Sequence, residues 1–179
     1  KKLLLILLCL PMIGFGQNVY IPDANFKAYL VGNTSINTNG DTEIQVSEAA
    51  SFSGTINCTN MNISDLTGIE AFTVLTILYC NHNQLTTLDV SNNTALTTLN
   101  CAPAGIFNQL TSLDISNNIN LNTLICPNNQ ISSLDVSQNT ALTSLSCSNN
   151  QLDSLDVSNN TNLGWLDCGN NQLTTLDVS

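Results

Sequence analysis

The chain has 179 residues, enough for one domain, of which 9% are charged and 42% hydrophobic, so neither a coiled coil nor a disordered chain fits. The formal net charge of -10 sets three lysines against thirteen carboxylates. A surface of that sign repels a duplex or an anionic bilayer, which excludes nucleic acid as a partner and favours cations or cationic ones.

Residues 1–16 read as an export signal and not as part of the fold. Lys1 and Lys2 form a positive start, Leu3 to Leu10 an apolar core, and Pro11 breaks it. Gly14-Phe15-Gly16 then places small residues at the -3 and -1 positions of a cleavage site before Gln17. The apolar run is too short to span a bilayer, so no transmembrane segment is expected and the protein is expected to be secreted or at the cell surface. Leu8 precedes Cys9 where a lipid-attachment cysteine takes a small residue. Removal of this segment leaves Lys27 as the one cation.

Residues 17–52 do not repeat and are expected to form an N-terminal cap. Phe26, Tyr29 and Leu30 have helical spacing behind Asp23, a good N-cap residue, and Gly32-Asn33 supply a stop. Ser47 to Phe52 reads as a second short helix. Between the two, Asn37, Asn39, Asp41 and Glu43 fall at positions one, three, five and seven of a twelve-residue loop, with Ile44 at eight and Glu48 at twelve. That spacing resembles an EF-hand or dockerin-type calcium loop. The resemblance implies calcium as a cofactor, held by the side chains of Asn37, Asn39, Asp41 and Glu48 and by the carbonyl of Glu43. Two positions depart from it: Asn37 stands where Asp is usual, and Thr42 where a tight turn takes Gly. The alternative is a polar helix-loop-helix cap that holds no ion.

Residues 53–179 repeat. Cys80, Cys101, Cys126, Cys147 and Cys168 follow one another at sequence intervals of 21, 25, 21 and 21. Asp89, Asp114, Asp135, Asp156 and Asp177 follow at intervals of 25, 21, 21 and 21. One four-residue insertion within residues 102–107 accounts for both series. Each coil has two halves of the form apolar-x-x-apolar-x-apolar-x-x-Asn, such as Leu75-x-x-Leu78-x-Cys80-x-x-Asn83 followed by Leu85-x-x-Leu88-x-Val90-x-x-Asn93. Alternate side chains of an extended segment face the same way, so Leu78 and Cys80 point inward together, as do Leu88 and Val90. Stacked coils then predict a parallel β-ribbon on each of two walls. The pattern resembles the leucine-rich-repeat family, in the bacterial subclass with a twenty-one-residue repeat, over about residues 63–179. The irregular first coil, Ile63 to Ile69, is similar to those of internalin-like proteins. The fold implied is a mainly β leucine-rich-repeat solenoid with little helix in the repeats. Cys58 precedes Cys80 by nearly the same interval and is expected to share the Cys column in a leading partial coil.

Two Asn columns, Asn83 to Asn171 and Asn93 to Asn160, fall where the chain turns. An inward amide there can both donate to and accept from backbone groups that lack strand partners. Six cysteines outside residues 1–16 permit a disulfide framework in an exported chain. Their single column instead favours buried free thiols, because in-register neighbours point side by side, a poor approach for a disulfide. No His cluster or Cys-x-x-Cys suggests a bound metal among them.

The residues between the buried ones form an exposed strand ribbon: Ile77 and Tyr79, Thr98 and Asn100, Thr123 and Ile125, Ser144 and Ser146, Trp165 and Asp167. In the family resembled, this face is the usual partner surface. The expected site is therefore Ile77, Tyr79, Asn100, Ile125, Trp165 and Asp167, taking a protein or glycan at the cell exterior, with the two aromatics as anchors. The Asp column points outward as a solvated ladder. His82 is the only histidine and lies in a turn, and no phosphate loop or acid–base pair in a cleft is present, so an enzyme is not expected. The alternative function is a structural spacer that displays another domain, which the monotonous Ser and Thr of the middle coils favour. The chain starts without Met and ends at Ser179 halfway through a coil, so a longer protein is expected.

Overall fold

The computed structural model describes residues 17–102 and 108–178. The expected export signal lies outside the described residues, as does most of the insertion, residues 103–107. Among the described residues no helix is long and apolar enough to cross a membrane.

The cap contains two helices, α1 (Ala24–Gly32) and α2 (Val46–Ser51). Asp23 caps α1: its Oδ1 accepts from the N–H groups of Asn25 and Phe26 at 2.9 and 3.0 Å. Its Oδ2 accepts from the backbone and hydroxyl of Ser64 at 2.9 and 3.1 Å, which ties the cap to the first coil. The Tyr29 hydroxyl accepts from the Asn57 N–H at 2.8 Å, and Phe52 meets Phe72 edge-on with ring centres 6.3 Å apart. Phe26, Leu30, Ile36, Ile44 and Ala49 continue the repeat core into the cap, so no boundary of exposed apolar surface separates the two.

The solenoid is a parallel stack. Strands β1 (Thr55–Asn57), β2 (Ile77–Tyr79), β3 (Thr98–Asn100), β4 (Thr123–Ile125), β5 (Ser144–Ser146) and β7 (Trp165–Asp167) pair in that order. The register is fixed by the inward Leu: Ile56, Leu78, Leu99, Leu124, Leu145 and Leu166 are successive partners. A slip of one residue would turn each of them to solvent. Between β1 and β2 the first coil makes a 3-10 turn (Ile69–Ala71) entered through Gly68 at φ 106°. A Cβ there would also sit 2.7 Å from an Ile21 side-chain atom and 2.9 Å from the Tyr20 carbonyl, so the position requires glycine.

The second wall departs from the expected ribbon. Among the described residues only β6 (Ser154–Asp156) and β8 (Thr175–Asp177) form a ladder there. Earlier coils join through single backbone bonds, such as Gln109 N–H to Leu85 O and Gln130 N–H to Leu110 O, at 2.7 and 2.8 Å. The Asp column then bends the chain. Asp89, Asp114 and Asp135 each accept from the N–H of the Ser two residues on, at 2.8–2.9 Å, in an Asx turn, and Asp156 makes the same turn at 2.9 Å at the end of β6.

The Asn columns are structural, and they differ. Asn129 accepts from Leu110 N–H at 3.1 Å through Oδ1 and donates through Nδ2 to the carbonyls of Cys101, Cys126 and Pro127 at 3.2–3.4 Å. Asn118 donates to Val90 O and Asn93 O at 2.9 and 3.0 Å, but its Oδ1 has no partner, as in Asn93, Asn139 and Asn160. The expectation that both columns donate and accept fails here for a local reason. Nearby N–H groups of this turn are already taken: Asn118 N–H bonds Ile115 O and Leu121 N–H bonds Asn118 O, at 2.9 and 3.0 Å. The cysteines behave as expected, with no disulfide among the described residues: Cys58, Cys80, Cys101, Cys126 and Cys147 are buried free thiols, and Cys168 is half-buried.

After five of the strands the chain turns through a left-handed residue, with Asn60, Asn128, Asn149 and Asn170 at φ 53–58° and His82 at 59°. Asn tolerates this conformation better than most residues, and the His82 Nδ1 is also buried without a partner. His82→Asn is expected to raise stability by about 0.5–1 kcal/mol in urea melts. An unchanged midpoint would mean that the imidazole packing offsets both terms.

Candidate interaction surface

The six-stranded sheet places every residue of the expected site on one face. Two columns run across the strands. Ile77, Thr98, Thr123, Ser144 and Trp165 are successive partners in one, and Tyr79, Asn100, Ile125, Ser146 and Asp167 in the other. At about 4.8 Å per strand, Tyr79 and Asp167 lie about 19 Å apart with Ile125 midway. Ile77, Tyr79, Asn100, Ile125 and Asp167 are half-buried, and Trp165 is 52% exposed.

Ser146 departs from its expected exposure. It is buried, and so is Ser148 beyond the strand. Both hydroxyls donate to Asp167 Oδ2, at 3.4 Å from Ser146 and 2.7 Å from Ser148, while Oδ1 accepts from Gly169 N–H at 3.3 Å. Ser148 lies two residues beyond the end of β5 and so falls outside the ribbon expected from the strands. The usable signal is the coil period, which sets Ser148 one full coil before Gly169, beside Asp167. The Asn100 amide turns inward on its own loop, accepting from Ala102 N–H at 3.1 Å.

The opposite wall carries the Asp column. Asp89, Asp114 and Asp135 are exposed, and each carboxyl lies below its ordinary value chiefly because of the N–H bond from the following Ser. The neighbouring Asp114 charge opposes this only weakly at Asp89 and Asp135. Asp65, Glu70, Asp89 and Asp114 border a shallow groove of about 600 Å³ on this side.

In the cap loop, the candidate calcium ligands bond to the loop itself. Asn37 donates to Val31 O and Asp41 O at 3.0 and 2.8 Å and accepts from Gly40 N–H at 3.1 Å. Asn39 donates to Asp41 Oδ2 and Gln45 Oε1 at 3.0 and 2.6 Å, and Asp41 Oδ1 accepts from Glu43 N–H at 2.7 Å. The Glu43 carboxylate pairs with Lys27 at 2.7 Å. Glu48 Oε1 takes Thr38 N–H, Thr38 Oγ1 and Asn39 N–H at 2.8, 2.9 and 3.2 Å, and Oε2 takes Gln45 N–H at 3.0 Å. Among the described residues no group of three or more His, Cys, Asp or Glu converges. A calcium ion would therefore exchange some of these bonds for coordination. Calcium titration followed by thermal melting separates the two uses of the loop: coordination raises Tm, and a purely hydrogen-bonded loop does not respond.

Burial pushes the Glu48 carboxyl up, but the hydrogen bonds from Gln45, Thr38 and Asn39 outweigh it and leave the pKa below its ordinary value. A lowered folded-state pKa stabilises the fold above the unfolded value and stops doing so as pH falls through the folded value. Tm is thus expected to hold from neutral pH to about pH 5 and to fall below that. Glu48→Gln, measured at pH 7, is expected to cost about 2 kcal/mol and to flatten the acid limb.

No protein-family profile matches the chain. Over 78 residues, 43% of its length, it is 42% identical to Internalin J of Listeria monocytogenes, of which it spans 8%. Among solved structures it is similar to a leucine-rich-repeat protein of Leptospira interrogans, at 32% identity and a TM-score of 0.56, over 61% of this chain and 29% of the other. It is also similar to the functional domain of InlJ from Listeria monocytogenes, described as including a cysteine ladder, at 30% identity and a TM-score of 0.49, over 91% of this chain and 50% of the other. The chain spans half or less of each of these relatives.

Proposed function

We propose that this chain, an internalin-like leucine-rich-repeat protein, is an exported binding or adhesion module that engages a protein or glycan at the cell exterior through its strand face. The observation that carries this reading is the alignment of Ile77, Tyr79, Asn100, Ile125, Trp165 and Asp167 on one face of a single parallel sheet. A rigid sheet spends little ordering entropy when it binds, and aromatic anchors on it supply most of the energy. The small hydroxyl run Thr98, Thr123 and Ser144 between the anchors favours a second reading, a spacer for another domain.

Binding of the purified chain to arrays of extracellular proteins and of glycans tests the choice. The strand-face triple variant Tyr79→Ser, Ile125→Ser, Trp165→Ser is expected to lose the partner while its melt stays cooperative. The opposite-wall triple variant Asp89→Asn, Asp114→Asn, Asp135→Asn is expected to keep it. Retention of every partner by the first variant, or an absence of any partner, would favour the spacer.

A further inference from the structure

We infer that Trp165 and Asp167 form a docking point for a cationic side chain, an arginine or lysine on a basic segment of a protein partner. The inference rests on the strand-face reading and names the chemistry of its partner. The two residues stand two apart on β7 and share its outward face, about 7 Å from each other along the strand. An exposed indole attracts a cation to its ring face through its quadrupole. A carboxylate at this separation can receive the same guanidinium or ammonium group from the side.

The site is prepared for such a guest. Asp167 Oδ2 is held by the Ser148 hydroxyl at 2.7 Å and the Ser146 hydroxyl at 3.4 Å, and Oδ1 by Gly169 N–H at 3.3 Å. Both serines are buried and belong to the neighbouring coil, so the carboxylate is fixed from one side. Two carboxylate oxygens accept about four hydrogen bonds, so with two on Oδ2 and one on Oδ1 a further acceptor site remains on Oδ1. The strand partners of Trp165 and Asp167 are Ser144 and Ser146, whose small side chains leave space above the sheet.

Charge complementarity selects the guest. The sequence sets thirteen carboxylates against three lysines. Lys27, the one lysine among the described residues, is held by Glu43 at 2.7 Å. The opposite wall is also acidic, but among the described residues that border its groove none is aromatic, so it attracts cations without stacking them. A neutral sugar would use the indole but gain less from the carboxylate, and it serves as the competing outcome.

Trp165 is the only tryptophan, so its fluorescence reports on this point alone. The probe is an acetylated and amidated hexapeptide of alternating Gly and Arg, with Gln replacing Arg in its control. A neutral hexasaccharide is run beside them. The expected result is a saturable emission change with the Arg peptide and none with the Gln peptide. Binding is expected to weaken about ten-fold in Asp167→Asn and with added salt, and to persist in Asp114→Asn. Equal weakening in both variants would show diffuse charge and overturn the site. A response to the hexasaccharide alone would overturn the cationic class while sparing the strand-face reading, and silence with both probes would overturn the docking point. The array experiment with the strand-face triple variant judges the broader reading separately. If Asp167→Asn fails to fold, Ser148→Ala and the salt dependence of the unaltered chain carry the test.

Discussion

Asn129→Leu is expected to destabilise the solenoid by about 4 kcal/mol, near the largest effect available to one substitution. The two side chains are similar in size, so the loss is in hydrogen bonding and not in packing. Asn129 satisfies four backbone groups at once: the N–H of Leu110 and the carbonyls of Cys101, Cys126 and Pro127. The Cys101 and Cys126 carbonyls keep the Asn108 and Asn150 amides at 3.0 Å, so the Leu110 N–H and the Pro127 carbonyl are the groups left unpaired, each at about 1–3 kcal/mol. Asn118→Leu makes the informative comparison. Its two acceptor carbonyls, Val90 O and Asn93 O, keep the N–H groups of Asn93 and Leu96 at 3.0 Å, and its amide oxygen already lacks a partner, so at most about half the loss is expected. Gln138→Ala, on the surface of the same coil, should stay within about 0.5 kcal/mol. Urea melts by circular dichroism give all three values, and equal costs for Asn129 and Asn118 would refute the distinction between the two columns.

The second large effect is chemical. Alkylation of the native protein at pH 8 is expected to mark Cys168 and to spare Cys58, Cys80, Cys101, Cys126 and Cys147. Burial pushes the Cys58, Cys101 and Cys147 thiols up to about 12, and Cys80 and Cys126 well above their ordinary value. At a pKa of 12 only about one thiol in ten thousand is a thiolate at pH 8, and the thiolate is the reactive species. Steric exclusion acts in the same direction. Peptide mapping after iodoacetamide treatment, native and in denaturant, reads the contrast directly. Native labelling of Cys101 as fast as Cys168 would show that the column opens in solution, and cross-linked peptides would contradict the free-thiol reading.

Much of this was legible before any coordinates. The Cys and Asp intervals locate the coils, and Leu78 with its equivalents sets the register because alternation fixes which side chain faces in. Asp23 caps the first helix as its chemistry requires, and the helix ends at Gly32 as expected, though Asn33 leaves it in an extended conformation and not a left-handed one. Alternation says nothing, however, about where strands give way to turns. The second wall therefore reads as a ribbon in sequence and is mostly Asx turns in space. The same limit hides Ser148, which lies beyond the end of β5 and still bonds Asp167. The cap loop shows a different limit. Asn37, Asn39, Asp41 and Glu48 have the oxygen spacing of an ion site, and the same spacing serves a loop that closes on its own N–H groups.

The uniform strand register also bears on how such a molecule changes length. Thr123 pairs with Ser144 and Ser144 with Trp165, each one coil further on and in the same parallel register. Excision of one whole coil would bring together two surfaces that already match others of their kind: Leu on Leu, thiol on thiol, amide under carbonyl. A cut out of phase with the repeat would set Asn against Leu at the new junction. Gene duplication and recombination can thus add or remove reach in fixed steps, and the spacing of binding groups along the face becomes a countable, heritable quantity.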